Sequence, residues 1–211
     1  MPGRQEERNK EVANIEQLFL VFECHRREIE CVLSKDGMLR EAVLESLNKA
    51  VKAIHPKLVW EIGPGRSKEF FLAISPSGNN SLLSTTERVA DSAPQWESWE
   101  VLSAKPPKAD WGFKVDWGYG CSVDFREWRY GLLALEEYNL FDVEFIIPNE
   151  LKVLDKAELN RIGFFLLSSI VGEINVMRKI DSLFFLGEES LLAYEPKKLE
   201  DFVDLAIRWI V

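Results

Sequence analysis

The side chains best suited to metal binding or nucleophilic chemistry are three cysteines and two histidines. Cys24, His25 and Cys31 lie close together in a stretch whose apolar spacing predicts a helix. Because each residue turns a helix by about 100°, Cys24 and Cys31 share a face and His25 points elsewhere, so the three cannot complete a tetrahedral zinc site. We predict no metal here and no cofactor, since neither a P-loop nor a dinucleotide-binding glycine motif is present.

Cys121 is a candidate nucleophile because it follows the glycine-rich segment Gly118–Gly120, where a substrate can approach the backbone closely. Such a thiol needs a base, and His25 and His55 are the only histidines. Both lie in the predicted N-terminal helices, and sequence position does not identify either as a partner of Cys121. A cysteine packed in a strand or turn is the simpler interpretation.

Two carboxylates, Glu144 and Glu173, have apolar sequence neighbours. Desolvation raises the pKa of a carboxyl group and can prepare it for acid–base catalysis. The simpler expectation is that Glu144 points outward from its strand and that Glu173 lies at a surface turn. The alternative function is therefore a small-molecule enzyme or ligand-binding protein, with a pocket near the Trp- and Gly-rich segment 111–121 and with Cys121, Glu144 or Glu173 as weak catalytic candidates.

Aromatic side chains are concentrated between residues 96 and 130, interleaved with glycines, as in a recognition loop. The residues that we predict to bind a partner are Trp111, Trp117 and Tyr119. The alternative is that the aromatic side chains of this segment fill the core, because so many exposed rings together would promote aggregation.

Carboxylates also cluster in sequence, since no Lys or Arg occurs from residue 131 to residue 150. From this stretch we predict Glu136, Glu137 and Asp142 as binding residues on an acidic face that attracts a basic protein. The net charge of -9 argues against nucleic acid as a partner. A solvated, solubilising surface is the other interpretation of these charges.

The elements that position these residues begin with two helices. Apolar residues three or four apart over 5–33, and again from Leu39 to Ile54, predict a helical hairpin that ends at His55–Pro56. Ser34 is a candidate N-cap for the second helix. We assign residues 1–56 to this hairpin, as an appendage of an α+β domain over 57–211, and the hairpin is a candidate homodimer interface.

From residue 57 onward the pattern predicts strands joined by short turns, with helices between them. The strands are expected at 58–62, 69–75, 99–104, 127–135, 140–147 and 180–186, and the helices at 81–92, at 155–172 with Asp155 as N-cap, and from Pro196. Adjacent strands argue against a doubly wound fold. We predict an α+β fold with a mainly antiparallel sheet and helices packed on one face.

The compartment is predicted from the termini, the apolar runs and the cysteines. Residues 1–10 are polar and lack the apolar stretch of a secretory signal. The most apolar run, Ile162 to Val171, is about half as long as a membrane span requires. An odd number of cysteines favours free thiols. We therefore expect a soluble cytoplasmic protein without membrane association.

Several of these segments resemble an uncharacterised group of bacterial cytoplasmic proteins. The segments that carry the resemblance are Leu58–Pro64, Glu69–Ser75, Trp99–Val101 and Leu166–Glu173 leading into Ile180–Leu186, about half of the chain. The resemblance implies a bacterial α+β protein without an assigned activity or a catalytic motif. Our leading hypothesis is a non-enzymatic interaction protein of the immunity or regulatory type.

Overall fold

The structure is a computed structural model that describes residues 2–35, 37–108, 114–118, 121–188, 197–198 and 201. These residues contain five α-helices and nine strands, which form three sheets with mostly antiparallel pairing. The predicted α+β fold with an N-terminal helical pair is therefore confirmed. The chain divides into two compact units, Met1–Lys105 and Pro106–Val211, whereas the sequence analysis placed a boundary at residue 56.

The first unit begins with α1 (Pro2–Leu33) and α2 (Glu41–Ile54), which pack against each other. Their apolar stripes are buried as the three-four spacing requires. Ser34 does not cap α2. Its hydroxyl instead donates to the Glu30 carbonyl oxygen at 2.8 Å, at the end of α1, and α2 starts after Arg40.

The first sheet follows directly and shares its core with the helical pair. It consists of β1 (Val59–Pro64), β2 (Phe70–Ser75) and β3 (Trp99–Leu102). β1 and β2 are antiparallel, whereas β3 lies parallel to β2 after a crossover through α3 (Leu83–Asp91). The shared core explains why the compact unit extends to Lys105, and it includes Leu18, Phe22, Leu47, Leu72, Ile74 and Trp99.

The second unit contains a hairpin and a four-stranded sheet. The hairpin is β4 (Lys114–Gly118) with β5 (Cys121–Asp124), in a segment for which the sequence predicted no element. The sheet has the order β8-β7-β6-β9 and is formed by β6 (Arg129–Leu135), β7 (Leu140–Ile147), β8 (Ile180–Gly187) and β9 (Lys197–Lys198). β6 and β7 are antiparallel, and β7 and β8 are parallel. The expectation of helix from Pro196 is wrong at β9 and agrees with the structure at Asp201, and the rest of that stretch lies outside the described residues.

Two helices connect β7 to β8: α4 (Lys156–Val171) and α5 (Glu173–Lys179). As predicted, Asp155 caps α4, and its side chain accepts the Glu158 backbone N–H at 2.8 Å. α4 approaches the sheet closely at Gly163, where a Cβ would lie 2.9 Å from Cζ of Phe185. The packing of α4 therefore defines the inner, buried face of this sheet.

Candidate functional site

The candidate site is the outer face of strands β6, β7 and β8, on the side opposite α4. Side chains alternate between the two faces of a strand. Val143, Phe145 and Ile147 of β7 belong to the buried core. Asp142 and Glu144, which lie between them, therefore share the opposite face, and both are half-buried.

Strand register places apolar side chains beside these carboxylates. Asp142 is paired with Leu133 of β6 on one side and with Ser182 of β8 on the other. Glu144 is paired with Gly131 and with Phe184. Neighbouring strands lie about 4.8 Å apart, so residues paired in register are in direct contact range. Leu133 is 39% exposed and Phe184 is 43% exposed, which makes this a mixed acidic and apolar surface.

The turn between β6 and β7 adds two more of the predicted carboxylates. It is a single 3-10 turn, Glu136–Tyr138, closed by Asn139 in the left-handed conformation with φ 53°. Glu136 and Glu137 are exposed, and the Tyr138 side chain is 72% exposed. We use the name acidic face for Asp142, Glu144, Leu133 and Phe184 together with this turn.

Within the described part of the chain, one carboxylate oxygen of the acidic face lacks a hydrogen bond. Asp142 Oδ1 is shielded from solvent, and no donor among the described residues reaches it. A buried acceptor without a donor is costly, by about 1–3 kcal/mol, and this cost is relieved when a donor arrives. A cationic side chain from a bound partner would supply such a donor. The next row of the sheet pairs exposed Arg129 with Ile146, which is only 3% exposed, so both the acidic character and the accessible part of β7 end there.

The predicted aromatic binding residues are only partly described. Trp117 is half-buried on β4, where its indole Nε1 donates to Glu158 Oε2 at 3.1 Å. Its ring meets Phe165 edge to face at 5.9 Å, so Trp117 packs against α4. Trp111 and Tyr119 lie outside the described residues. Elsewhere in the predicted aromatic segment, core packing is confirmed for Trp99, Trp128 and Tyr130.

The three catalytic candidates have different placements. Glu144 lies on the outer face, whereas Glu173 is the first residue of α5 and only 1% exposed. The expectation of a surface turn at Glu173 is wrong, because the chain turns at Gly172 with φ 84° and continues as a helix instead of entering a loop. Cys121 begins β5 with its backbone paired to Gly118, and its side chain lies outside the described residues.

A metal site needs several His, Cys, Asp or Glu side chains close together. Cys24 and Cys31 are exposed free thiols on α1. Across the described part of the chain, no group of three or more His, Cys, Asp or Glu side chains is arranged to hold a metal ion. None of the described helices is long and apolar enough to cross a bilayer.

Leu133 and Phe184 are the residues of the candidate site that sequence analysis missed. Both are ordinary apolar positions in predicted strands, and an alternating pattern does not show which side of a strand stays open. The only signal in the sequence was that β6 and β8 carry apolar residues on both faces, so that some of these residues could stay exposed. Their exposure depends on α4 covering the other face.

Comparison with known proteins adds no relative. No family model matches the chain, and no curated protein and no solved structure matches it either. The resemblance to a bacterial group stays a prediction. Function is therefore inferred from the acidic face itself.

Proposed function

We propose that this protein is a non-enzymatic interaction module whose acidic face binds a basic protein. The observation that supports the proposal is the strand register, which sets Asp142 and Glu144 on one face beside exposed Leu133 and Phe184. Interfaces gain most of their affinity from a few buried apolar and aromatic contacts, and their orientation from charge. The acidic face offers both.

Electrostatic attraction also favours a basic partner at long range. The chain carries a net charge of -9, which steers cationic proteins toward it and repels anionic ones. Within the acidic face, Asp142 Oδ1, which no described donor reaches, favours a partner that brings a hydrogen-bond donor. The proposal includes a regulatory or immunity-type role for this acidic face, and the sequence resemblance supports a bacterial cytoplasm as its setting.

The proposal is tested by affinity capture with the immobilised full chain from an extract of the source organism. The test variant is Asp142→Asn/Glu144→Gln, which removes two charges without changing side-chain size. The matched control is Glu41→Gln/Glu45→Gln, which removes the same charge from exposed positions of α2. Capture is carried out at about 0.05 M and about 0.3 M salt, because screening weakens a charge-dependent interface.

We expect a basic protein to be retained by the wild type and by the control, and to be lost from the Asp142→Asn/Glu144→Gln variant and at the higher salt. Loss of two complementary charges should weaken binding at least about tenfold, which corresponds to about 1.4 kcal/mol. Equal capture by the test variant, or capture of an acidic partner, would contradict the proposal.

A further inference from the structure

Strand β8 has an edge without a backbone partner in the described structure. β8 is the first strand of the order β8-β7-β6-β9 and pairs with β7 alone. Among the described residues, no backbone hydrogen bond reaches its other edge. The N–H and C=O groups that point away from β7 each need a hydrogen-bond partner, from water or from another strand.

The sequence of β8 leaves most of this edge unprotected. Natural proteins protect edge strands with lysines, prolines, bulges or very short strands. β8 has a bulge and a charge at Asp181, but both lie at its start. From Ser182 to Gly187 the register with β7 is regular, and the segment contains no Lys, Arg or Pro. Such an edge can accept an additional strand.

Charge decides which strand fits. A second copy of β8 would bring two acidic faces together, and like charges repel each other. A strand added from a basic partner would instead place every second side chain on the outer face, beside Ser182 and Phe184 and in the same rows as Asp142 and Glu144. A long cationic side chain there can lie over the exposed Phe184 ring and extend toward the carboxylates.

We infer that the basic partner binds by adding an extended segment, with Arg or Lys at alternate positions, to the edge of β8 that faces away from β7. In this mode, main-chain hydrogen bonds provide affinity and alternate side chains provide selectivity. The inference depends on the proposed function, because it specifies how a partner of the acidic face is bound. Beyond the proposed function, it specifies that the partner binds as a strand, that it binds at the edge of β8, and that its charges recur at every second residue.

The probe is a fluorescein-labelled octapeptide of alternating Arg and Val, tested on the full chain by fluorescence anisotropy. Its comparison is the same peptide with every backbone amide N-methylated, which keeps the charges and removes the donors for strand pairing. We expect the first peptide to bind and the methylated one to bind at least about tenfold more weakly, since the main-chain hydrogen bonds of the added strand are lost. Amide exchange in Ser182–Gly187 should slow on binding. The Asp142→Asn/Glu144→Gln variant should bind the peptide more weakly, whereas the Glu41→Gln/Glu45→Gln control should bind it as the wild type does.

Four results would overturn the inference. The methylated peptide could bind equally well, which leaves the acidic face as the site and excludes strand addition. The edge amides of β8 could already exchange slowly in the free chain, or sedimentation could show a dimer that the peptide does not disrupt. The unmethylated peptide could fail to bind at about 1 mM, a weak limit for a specific site. In each case the capture experiment judges the proposed function independently.

Discussion

Replacing Glu100 with glutamine is expected to destabilise the first unit, because this side chain holds the turn between β1 and β2. From β3, the Glu100 carboxylate accepts the backbone N–H groups of Arg66, at 2.5 Å, and Ser67, at 3.2 Å, as well as the Ser67 hydroxyl. The approach requires glycine at position 65, where a Cβ would lie 2.9 Å from Glu100 Oε1. A glutamine keeps the shape but presents an NH2 group where one carboxylate oxygen accepts.

We expect a loss of about 1–2 kcal/mol in the free energy of unfolding at neutral pH. A hydrogen bond to a charged acceptor contributes about 1.5–3 kcal/mol, and Glu100 accepts several, but solvent around this half-buried side chain reduces the total. In a unit of about 100 residues, each kcal/mol lowers Tm by roughly 4–8 °C.

The effect should depend on pH in a defined direction. Burial raises the pKa of Glu100, but hydrogen bonds from the Ser67 side chain and from the backbone of Arg66, Ser67 and Lys68 outweigh it, so the pKa lies below its usual 4.5. Because the folded-state pKa is depressed, the stabilisation is present above the usual pKa and is lost as the pH falls through the folded-state pKa. The difference between wild type and Glu100→Gln should therefore shrink as the pH falls below the usual pKa.

The assay is urea unfolding at neutral pH and at about pH 3, with amide exchange at Arg66 and Ser67 as a local readout. The control is Glu69→Gln, an exposed glutamate in the same hairpin, which should change stability by less than about 0.5 kcal/mol. If Glu100→Gln costs no more than Glu69→Gln at neutral pH, or if the difference grows in acid, the Glu100 carboxylate does not hold this turn.

Two further predictions concern the second unit. Gly172→Ala should destabilise it by about 1–3 kcal/mol in thermal unfolding, because φ is 84° and a Cβ would lie 2.8 Å from Pro107 Cδ. The control, Gly37→Ala, should have little effect, because a Cβ there would have no contact closer than 3.7 Å. Similar losses of stability in the two variants would contradict this prediction. Burial, together with the Asp201 carboxylate, raises the pKa of Tyr130 to about 12 from 10.0, so its contribution to stability is present below 10.0 and is lost as the pH rises toward 12. Tyr130→Phe should remove this alkaline component in denaturation curves, and an unchanged alkaline loss would contradict it.

Local elements of the fold follow directly from sequence. The spacing of apolar residues predicted α1 and α2, and Asp155 three residues before Glu158 predicted the start of α4. These features depend on contacts between residues a few positions apart, so a short window contains the information. The β6–β7 hairpin was predicted for the same reason, since a short turn joins its strands.

Long-range pairing did not follow from sequence. The parallel neighbours β2 and β3, and β7 and β8, are separated along the chain by helices, and no local pattern identifies which strands meet. α5 was missed because Gly172 was interpreted as the end of helical structure, and Glu173 was consequently placed in a surface turn. Ser34 was assigned to the wrong helix because α2 starts only after Arg40, and the Ser34 hydroxyl donates to Glu30 at the end of α1 instead.

The acidic face shows where the two kinds of information divide. Sequence alone determined that Asp142 and Glu144 share one side of a strand, because a strand repeats every two residues whatever surrounds it. Only the tertiary structure decided which side that is and what lies beside it. α4 covers Val143 and Phe145, since this buries the larger apolar area, and parallel pairing with β8 then sets Phe184 next to Glu144.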